Sequence, residues 1–114
     1  MATAIIRSLR NGDPATALDG SSRNDLVLSD VVTLEYAGSS ATEYAWTIVF
    51  APEGSTAVFS GVTTDASPGN FTVDKEGSYL IRLIVNAGIA GEDTQYLRLR
   101  ALTAFGSLHL VAAG

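Results

Sequence analysis

The chain has 114 residues, of which 46% are hydrophobic and 17% charged, and its formal net charge is −5. This length predicts one domain. The absence of cysteine excludes disulfides and thiol chemistry, and seven basic residues that form no run argue against a nucleic-acid groove. Because soluble domains are typically ~25% charged, the low charge leaves apolar or small neutral groups outside, and part of the surface is expected to contact a partner.

The N-terminus lacks the pattern of a secretory signal. Its apolar run is short, and Arg7 and Arg10 follow that run where basic residues should precede it. No apolar stretch approaches the ~18 residues of a membrane span. The sequence therefore predicts a protein made in the cytoplasm that leaves it only inside an assembled particle. An extracellular or cell-surface location is the alternative.

The first half of the chain has the pattern of short strands separated by turns. The segment Asn11-Gly12-Asp13-Pro14 is a strong turn signal. The strand before it is expected to have Ile5, Ile6 and Leu9 as its apolar positions. Residues 15–30 mix turn residues with short apolar pieces. The strands predicted here are residues 2–10, a short or edge segment at 26–28, and residues 31–36.

The only tryptophan lies in an alternating stretch, residues 43–50. Tyr44, Trp46, Ile48 and Phe50 fall on one face of the predicted strand. Trp46 is in the middle, where an indole can fill the space between two sheets. This strand is therefore expected to form one half of a sandwich core.

A second alternating stretch, residues 79–85, forms the other half of that core. Tyr79, Ile81, Leu83 and Val85 are expected to point inward. No window shows a helical period, and the fold class indicated is an all-β, antiparallel β-sandwich of about seven to eight strands. The remaining predicted strands are 56–60, with Val58 and Phe59, 71–73, and 94–102, with Leu97 and Leu99 inward.

The order of these motifs resembles the PKD and REJ type of immunoglobulin-like domain. In that family a Tyr-x-Trp strand precedes a Pro-x-Gly-Ser segment, a Phe-Thr pair, a Gly-x-Tyr segment and an alternating strand. The resemblance covers about residues 17–102 and implies an immunoglobulin-like sandwich for residues 1–104. The matching positions are Tyr44, Trp46, Pro52, Gly54, Ser55, Phe71, Thr72, Gly77, Tyr79, Leu83 and Val85.

Stand-alone immunoglobulin-like domains of this size resemble capsid decoration, fibre and tail-associated proteins of tailed bacteriophages. This resemblance is one of architecture and not of motif. It implies a non-enzymatic virion protein that binds a capsid or tail lattice and copies of itself. The alternative is a carbohydrate- or surface-binding module of a larger secreted protein. Such a module needs exposed aromatic rings, and only Tyr96 is expected to be free of the core. A spacer domain without a ligand is a third interpretation.

Catalytic and metal-binding patterns are weak. The only histidine, His109, lies in an apolar segment, and no serine occupies a Gly-x-Ser-x-Gly turn, so no nucleophile and base are paired and no enzyme is expected. Phosphate-binding Gly-Lys-Ser/Thr is absent. Loop carboxylates could collect around calcium, but they are better explained as solvated turn residues, so neither a metal nor a cofactor is expected. These carboxylates are Asp13, Asp19, Asp25, Asp30, Glu92 and Asp93.

One strand face is unusual for a free surface. If Tyr79 and its alternate neighbours point inward, Leu80, Arg82 and Ile84 point outward, and Arg98 and Arg100 are possible neighbours. Apolar contacts around an arginine are typical of protein interfaces. The alternative is that the N-terminal arm or the C-terminal tail of the same chain covers this face.

The tail, residues 105–114, contains no Asp, Glu, Lys or Arg. Its alternation around His109 predicts an extra strand or a docking segment. It pairs either with a sheet edge of its own domain or with a neighbour, since strand addition is a common way to join such subunits. The residues expected to carry assembly are Phe105, Leu108, Leu110 and Val111, then Leu80, Arg82 and Ile84, followed by Ile5 and Ile6.

Overall fold

The computed structural model describes residues 3–103, which form eight strands in two four-stranded sheets. One sheet has the order β2-β1-β4-β6 and the other the order β3-β8-β7-β5. The predicted all-β sandwich is confirmed. Within residues 3–103 no helix is long and apolar enough to cross a membrane. The strands are β1 (Ile6–Arg10), β2 (Asp13–Asp19), β3 (Ser22–Val27), β4 (Val31–Tyr36), β5 (Tyr44–Phe50), β6 (Gly69–Thr72), β7 (Gly77–Val85) and β8 (Asp93–Leu102).

The strand arrangement is compatible with an immunoglobulin-type sandwich. Strands β1, β4 and β6 lie in one sheet and β5, β7 and β8 in the other, which corresponds to the division of strands A, B, E and C, F, G in such folds. All pairings are antiparallel except that of β3 with β8. The chain is thus a two-sheet sandwich compatible with an immunoglobulin-like domain.

The core lies between the sheets and is built by alternation. The four inward residues predicted on β7 are all fully buried, as are Val32 and Leu34 on β4. Trp46 is buried against them, as its position in β5 predicts. Full burial of each large aliphatic or aromatic side chain stabilises the fold by roughly 1.5–3 kcal/mol. The buried apolar residues are Ala4, Ile6, Leu26, Val32, Leu34, Trp46, Phe71, Val73, Tyr79, Ile81, Leu83, Val85, Leu97, Leu99 and Ala101.

The predicted turn at residues 11–14 is confirmed as a two-residue hairpin loop. Asn11 and Gly12 both have positive φ, 54° and 72°, the conformation that a type I′ turn requires at both central positions. Pro14 then lies in β2, which pairs only with β1 and is an edge strand. An edge strand tolerates proline because it has a side that needs no backbone donor.

Tyr79 ties the start of β7 to the preceding loop. Its hydroxyl donates to the Lys75 carbonyl at 2.8 Å and accepts the Lys75 N–H at 3.0 Å. This resembles the tyrosine corner of immunoglobulin-type sandwiches, in which a buried tyrosine bonds to backbone a few residues upstream. Asp74 next to it accepts the Ser55 hydroxyl at 2.6 Å and the Thr56 N–H at 2.7 Å. These bonds fix the Pro-x-Gly-Ser turn against β7.

The strand predicted at residues 56–60 is wrong. Residues 51–68 belong to no strand. The Thr56 N–H bonds to a carboxylate instead of a neighbouring strand, and Val58 is 72% exposed. Ala57 and Phe59 pack against the core, and Phe59 lies edge-on to Phe71 with ring centroids 5.8 Å apart.

The three apolar positions named for the first strand differ in burial. Ile6 is buried, but Ile5 and Leu9 are only partly buried. Strand alternation places even-numbered residues inward here, so Ala4, Ile6 and Ser8 face the core. Residues 13–19, which sequence patterning left unassigned, form the edge strand β2. Their apolar pattern is weak because six of the seven are exposed.

Asp30 holds the hairpin β1–β2 and the β3–β4 connection together. Its carboxylate accepts bonds from Arg10 Nε at 2.6 Å, Asn11 Nδ2 at 3.1 Å and the Val27 N–H at 2.9 Å. Burial raises the pKa of Asp30, but these hydrogen bonds outweigh burial and hold that pKa below the ordinary 3.8. The folded state therefore favours the ionised carboxylate.

Acid is expected to destabilise the fold below about pH 4. Hydrogen bonds from Ser55 and Thr56 also lower the pKa of Asp74. Asp30 and Asp74 bind protons more weakly in the folded state than in the unfolded state. The stability that the two carboxylates give to the fold is therefore complete above the ordinary pKa of 3.8, and it is lost as the pH falls through their lowered pKa values. Urea midpoints measured from pH 7 to pH 2 should be flat down to about pH 4 and then fall.

The variant Asp30→Asn is the matched control for this acid effect. It cannot take up the proton at this position, so its midpoint should start lower at pH 7 and fall less steeply below pH 4 than that of the parent chain. Parallel curves for the two proteins would contradict the role given to Asp30.

Candidate binding face

The outward side of β5, β7 and β8 forms a single continuous face, here called the arginine face. On β7, Leu80, Arg82 and Ile84 alternate with the buried residues, so their predicted outward direction is confirmed. The register sets Leu80 opposite Arg98 and Arg82 opposite Tyr96. The face consists of Ala45, Thr47 and Phe50 on β5, Ser78, Leu80, Arg82 and Ile84 on β7, and Thr94, Tyr96, Arg98 and Arg100 on β8.

The arginine face carries three guanidinium groups and no carboxylate at these strand positions. Arg98 and Arg100 are exposed and form no ion pair with any residue from 3 to 103. Arg82 is partly buried. Its Nη2 donates to Thr47 Oγ1 over 3.4 Å, and its buried Nε has no hydrogen-bond partner in the described chain. A molecule with a net charge of −5 thus has a locally positive face.

The arginines outside this face are paired with carboxylates. Two of them are in β1 of the opposite sheet, and the third is in the edge strand β3. Arg7 contacts Asp19 at 2.7 Å, Arg10 contacts Asp30 at 2.6 Å, and Arg23 bonds to the carboxylate of the nearby Asp25. These pairs neutralise their arginines within the chain. Apart from the exposed Lys75 in the loop before β7, the positive charge that is left for an external partner is therefore concentrated on the arginine face.

Apolar groups surround these charges. Leu80 and Ile84 are partly buried, whereas Tyr96 is 46% exposed and Phe50 is 57% exposed. Phe50, Leu80 and Arg98 line a shallow hollow of about 320 Å³. A hollow with an apolar floor and a guanidinium at its rim can hold a side chain that combines an apolar stem with a carboxylate or carbonyl oxygen.

Phe50 was predicted to be inward, and this is wrong. The pairing of β5 with β7 shifts between Ile48 and Phe50, so that Ile48 lies opposite the buried Ile81 but Phe50 lies opposite the outward Leu80. The extra residue is a β-bulge, which reverses the alternation beyond it. The proline at position 52 marks the end of the strand, but no sequence signal identifies the bulge itself.

Residues 3–5, the described part of the N-terminal arm, do not cover the arginine face. Thr3 pairs with Ser39, and the Ala4 N–H donates to Asp93 Oδ2 at 2.8 Å, which places these residues away from the outward side of β5, β7 and β8. For these residues the covering alternative is wrong. The tail residues expected to carry assembly lie outside the described residues, namely Phe105, Leu108, Leu110 and Val111.

The loop carboxylates considered for calcium are spread over separate contacts. Asp19, Asp25 and Asp30 each bond to a different arginine, whereas Asp13 and Glu92 accept backbone N–H groups. Among residues 3–103 no three His, Cys, Asp or Glu side chains come together as metal ligands would. His109, the only histidine, lies outside the described residues.

No family model matches this chain, and neither a curated protein nor a solved structure matches it.

Proposed function

We propose that this protein is a non-enzymatic structural module that binds an acidic protein surface through the arginine face. The observation that carries the proposal is the grouping of Arg82, Arg98 and Arg100 among apolar side chains without a carboxylate. Arginine is enriched at protein interfaces because its planar guanidinium binds carboxylates bidentately and also packs against apolar groups.

Charge selects the partner. Two copies meeting through this face would bring like charges together, which costs several kcal/mol in unfavourable juxtapositions. A surface with Asp or Glu side chains would pair with the two exposed arginines, Arg98 and Arg100. The first partner class proposed is therefore an acidic protein lattice, and self-association through this face is disfavoured.

The proposed setting is a virion, as a capsid decoration, fibre or tail-associated subunit. The fold proposed in detail is the PKD and REJ type, supported by the fixed Pro-x-Gly-Ser turn and the Tyr79 hydroxyl bonds. On a repeating lattice, weak contacts of many copies add by multivalency. Genes for capsid, portal or tail proteins next to the coding sequence would support this setting, and genes for secreted proteins would argue against it.

Carbohydrate binding is the second candidate function. The specific observation in its favour is that Phe50 and Tyr96, both on the arginine face, are exposed aromatic rings that could stack on sugars. It differs from the first candidate in its dependence on salt, because stacking on a neutral glycan is not screened. A glycan array without hits would exclude it.

The binding proposal is tested with tailed particles purified from the cells that encode the chain. Recombinant protein is mixed with the particles and sedimented. We expect the parent chain to co-sediment, and the double variant Arg98→Glu/Arg100→Glu to lose at least tenfold in bound fraction, because both residues are exposed and the change reverses the local charge. Binding of the parent chain should also weaken as salt is raised.

Arg7→Ala is the control, since Arg7 is an exposed arginine of the opposite sheet. Its bound fraction should equal that of the parent chain. Equal binding by the Arg98→Glu/Arg100→Glu variant, or a similar loss in Arg7→Ala, would refute the role of the arginine face.

A further inference from the structure

The edge of β5 is only partly occupied. β5 is the outermost strand of its sheet, and its free side bonds to the following loop at one point, where the Trp46 N–H donates to the Thr63 carbonyl at 3.0 Å. Residues two apart in a strand direct their backbone groups to the same side, so the N–H and C=O of Ile48 also point to this edge. Within residues 3–103 the loop makes no second backbone bond to it.

An uncharged groove runs along this edge. It has a volume of about 570 Å³ and lies between β5 and the loop that carries Val58 and Phe59. Every residue that lines it is uncharged, and Trp46, Ile48 and Phe50 supply the β5 side. An edge with free backbone groups beside an apolar groove is the arrangement that accepts an added strand. The chemistry of the groove requires that strand to be apolar and uncharged.

Residues 105–111 of this chain have that chemistry. The segment contains no Asp, Glu, Lys or Arg, and Leu108 and Leu110 alternate, so that both would face one side of a strand. A strand added to β5 could place these two leucines in the groove while its backbone pairs with Ile48. The match of an uncharged segment to an uncharged groove indicates the occupant.

The distance from Thr103 to the edge of β5 indicates which copy of the chain supplies residues 105–111. Thr103 is the last described residue. It lies five positions beyond Arg98 of β8, and Arg98 is opposite Leu80, which is in turn opposite Phe50. A strand added to β5 lies three strand spacings from β8, so a position beside Phe50 in that strand is about 14 Å from Thr103 across the sheet and about 16 Å along it, or about 22 Å directly. Five extended residues span at most about 18 Å, so Leu108 of the same chain cannot occupy the added strand beside Phe50.

We propose that the free edge of β5, with its groove, binds residues 105–111 of a second copy as an added strand. This gives the module a self-assembly site beside the arginine face. It rests on the proposed structural function only in its purpose. The two sites share Thr47 and Phe50, but Arg98 and Arg100 do not line the groove and Val58 is not part of the arginine face, so each site can be inactivated independently.

The test compares full-length variants by light scattering and by hydrogen exchange of the Ile48 amide. For the parent chain, mass should rise with concentration, and exchange at Ile48 should be at least tenfold slower at high than at low concentration. Both effects should be absent from Leu108→Lys/Leu110→Lys. A synthetic peptide of residues 104–114, added to that variant, should slow exchange at Ile48 again.

Two exposed valines of the same loop provide a matched pair. Val58 lines the groove and Val62 does not, and they are 72% and 58% exposed. Val58→Glu should abolish self-association, whereas Val62→Glu should keep it. A parent chain that stays monomeric, association that survives Leu108→Lys/Leu110→Lys, or Ile48 protection in a monomer would each overturn the proposal. Co-sedimentation of Val58→Glu monomers with particles would leave the arginine face intact as a binding site.

Discussion

Replacing Arg23 by alanine should lower the free energy of unfolding by about 2–5 kcal/mol, because two carbonyl groups inside the fold lose their donor at about 1–3 kcal/mol each. The Arg23 side chain is 1% exposed. It donates to the Ser8 carbonyl at 2.9 Å, the Thr16 carbonyl at 2.7 Å and the Asp25 carboxylate at 2.8 Å. Arg23 belongs to β3 and its carbonyl acceptors to β1 and β2, so one side chain joins the two sheets. Urea unfolding followed by tryptophan fluorescence measures the loss.

Arg7→Ala is the comparison for this prediction. Arg7 also contacts an aspartate, Asp19, at 2.7 Å, but the two side chains are 41% and 45% exposed. Exposed pairs contribute about 0–1 kcal/mol because water and salt screen them. Equal losses in Arg7→Ala and Arg23→Ala would mean that burial does not determine the contribution of these arginines.

Replacing Trp46 by alanine should cost about 3–5 kcal/mol, because it removes a large side chain from the core and leaves a cavity. The change also removes the bond from Trp46 Nε1 to the Asp65 carbonyl at 2.8 Å, which holds the loop after β5. With total stabilities of about 5–15 kcal/mol, the variant should be partly unfolded at moderate temperature. Because the variant has no tryptophan, circular dichroism is used to follow its urea unfolding.

Two further variants separate the contributions at Trp46. Trp46→Phe keeps most of the apolar volume but loses the bond to Asp65, so its loss should be smaller than that of Trp46→Ala. Tyr96→Ala, at an exposed position on the same sheet, should change stability by less than about 0.5 kcal/mol. A loss in Tyr96→Ala comparable to that in Trp46→Ala would contradict the assignment of Trp46 to the core.

Sequence patterning predicted the central strands correctly because they have one buried face and one outer face. In Val31–Tyr36 and residues 79–85 the apolar residues recur at every second position, and burial enforces that period. The same period placed Leu80, Arg82 and Ile84 outward. The composition of the arginine face depends on the register of β7 with β8, which alternation alone does not specify. That register brings Arg98 beside Leu80 and places no carboxylate on the face.

The features that patterning missed depend on neighbours distant in sequence. The bulge that turns Phe50 outward is defined only against β7. Edge strand β2 needs little apolar surface, so its residues resemble a loop. Burial of Arg23 depends on carbonyl groups of two other strands, and no local sequence pattern indicates them.

The parallel pairing of β3 with β8 has a consequence for folding kinetics. Ser22 pairs with Arg98 and Val27 with Leu102, and β8 is the only neighbour of β3 in its sheet. During synthesis β3 therefore has no sheet partner until the last described strand has left the ribosome. Folds dominated by such non-local pairings form in milliseconds to seconds instead of microseconds. The nascent chain should thus expose the edge of β3 for most of its synthesis and the edge of β7 from residue 85 onward, and the domain should close only after residue 102 emerges.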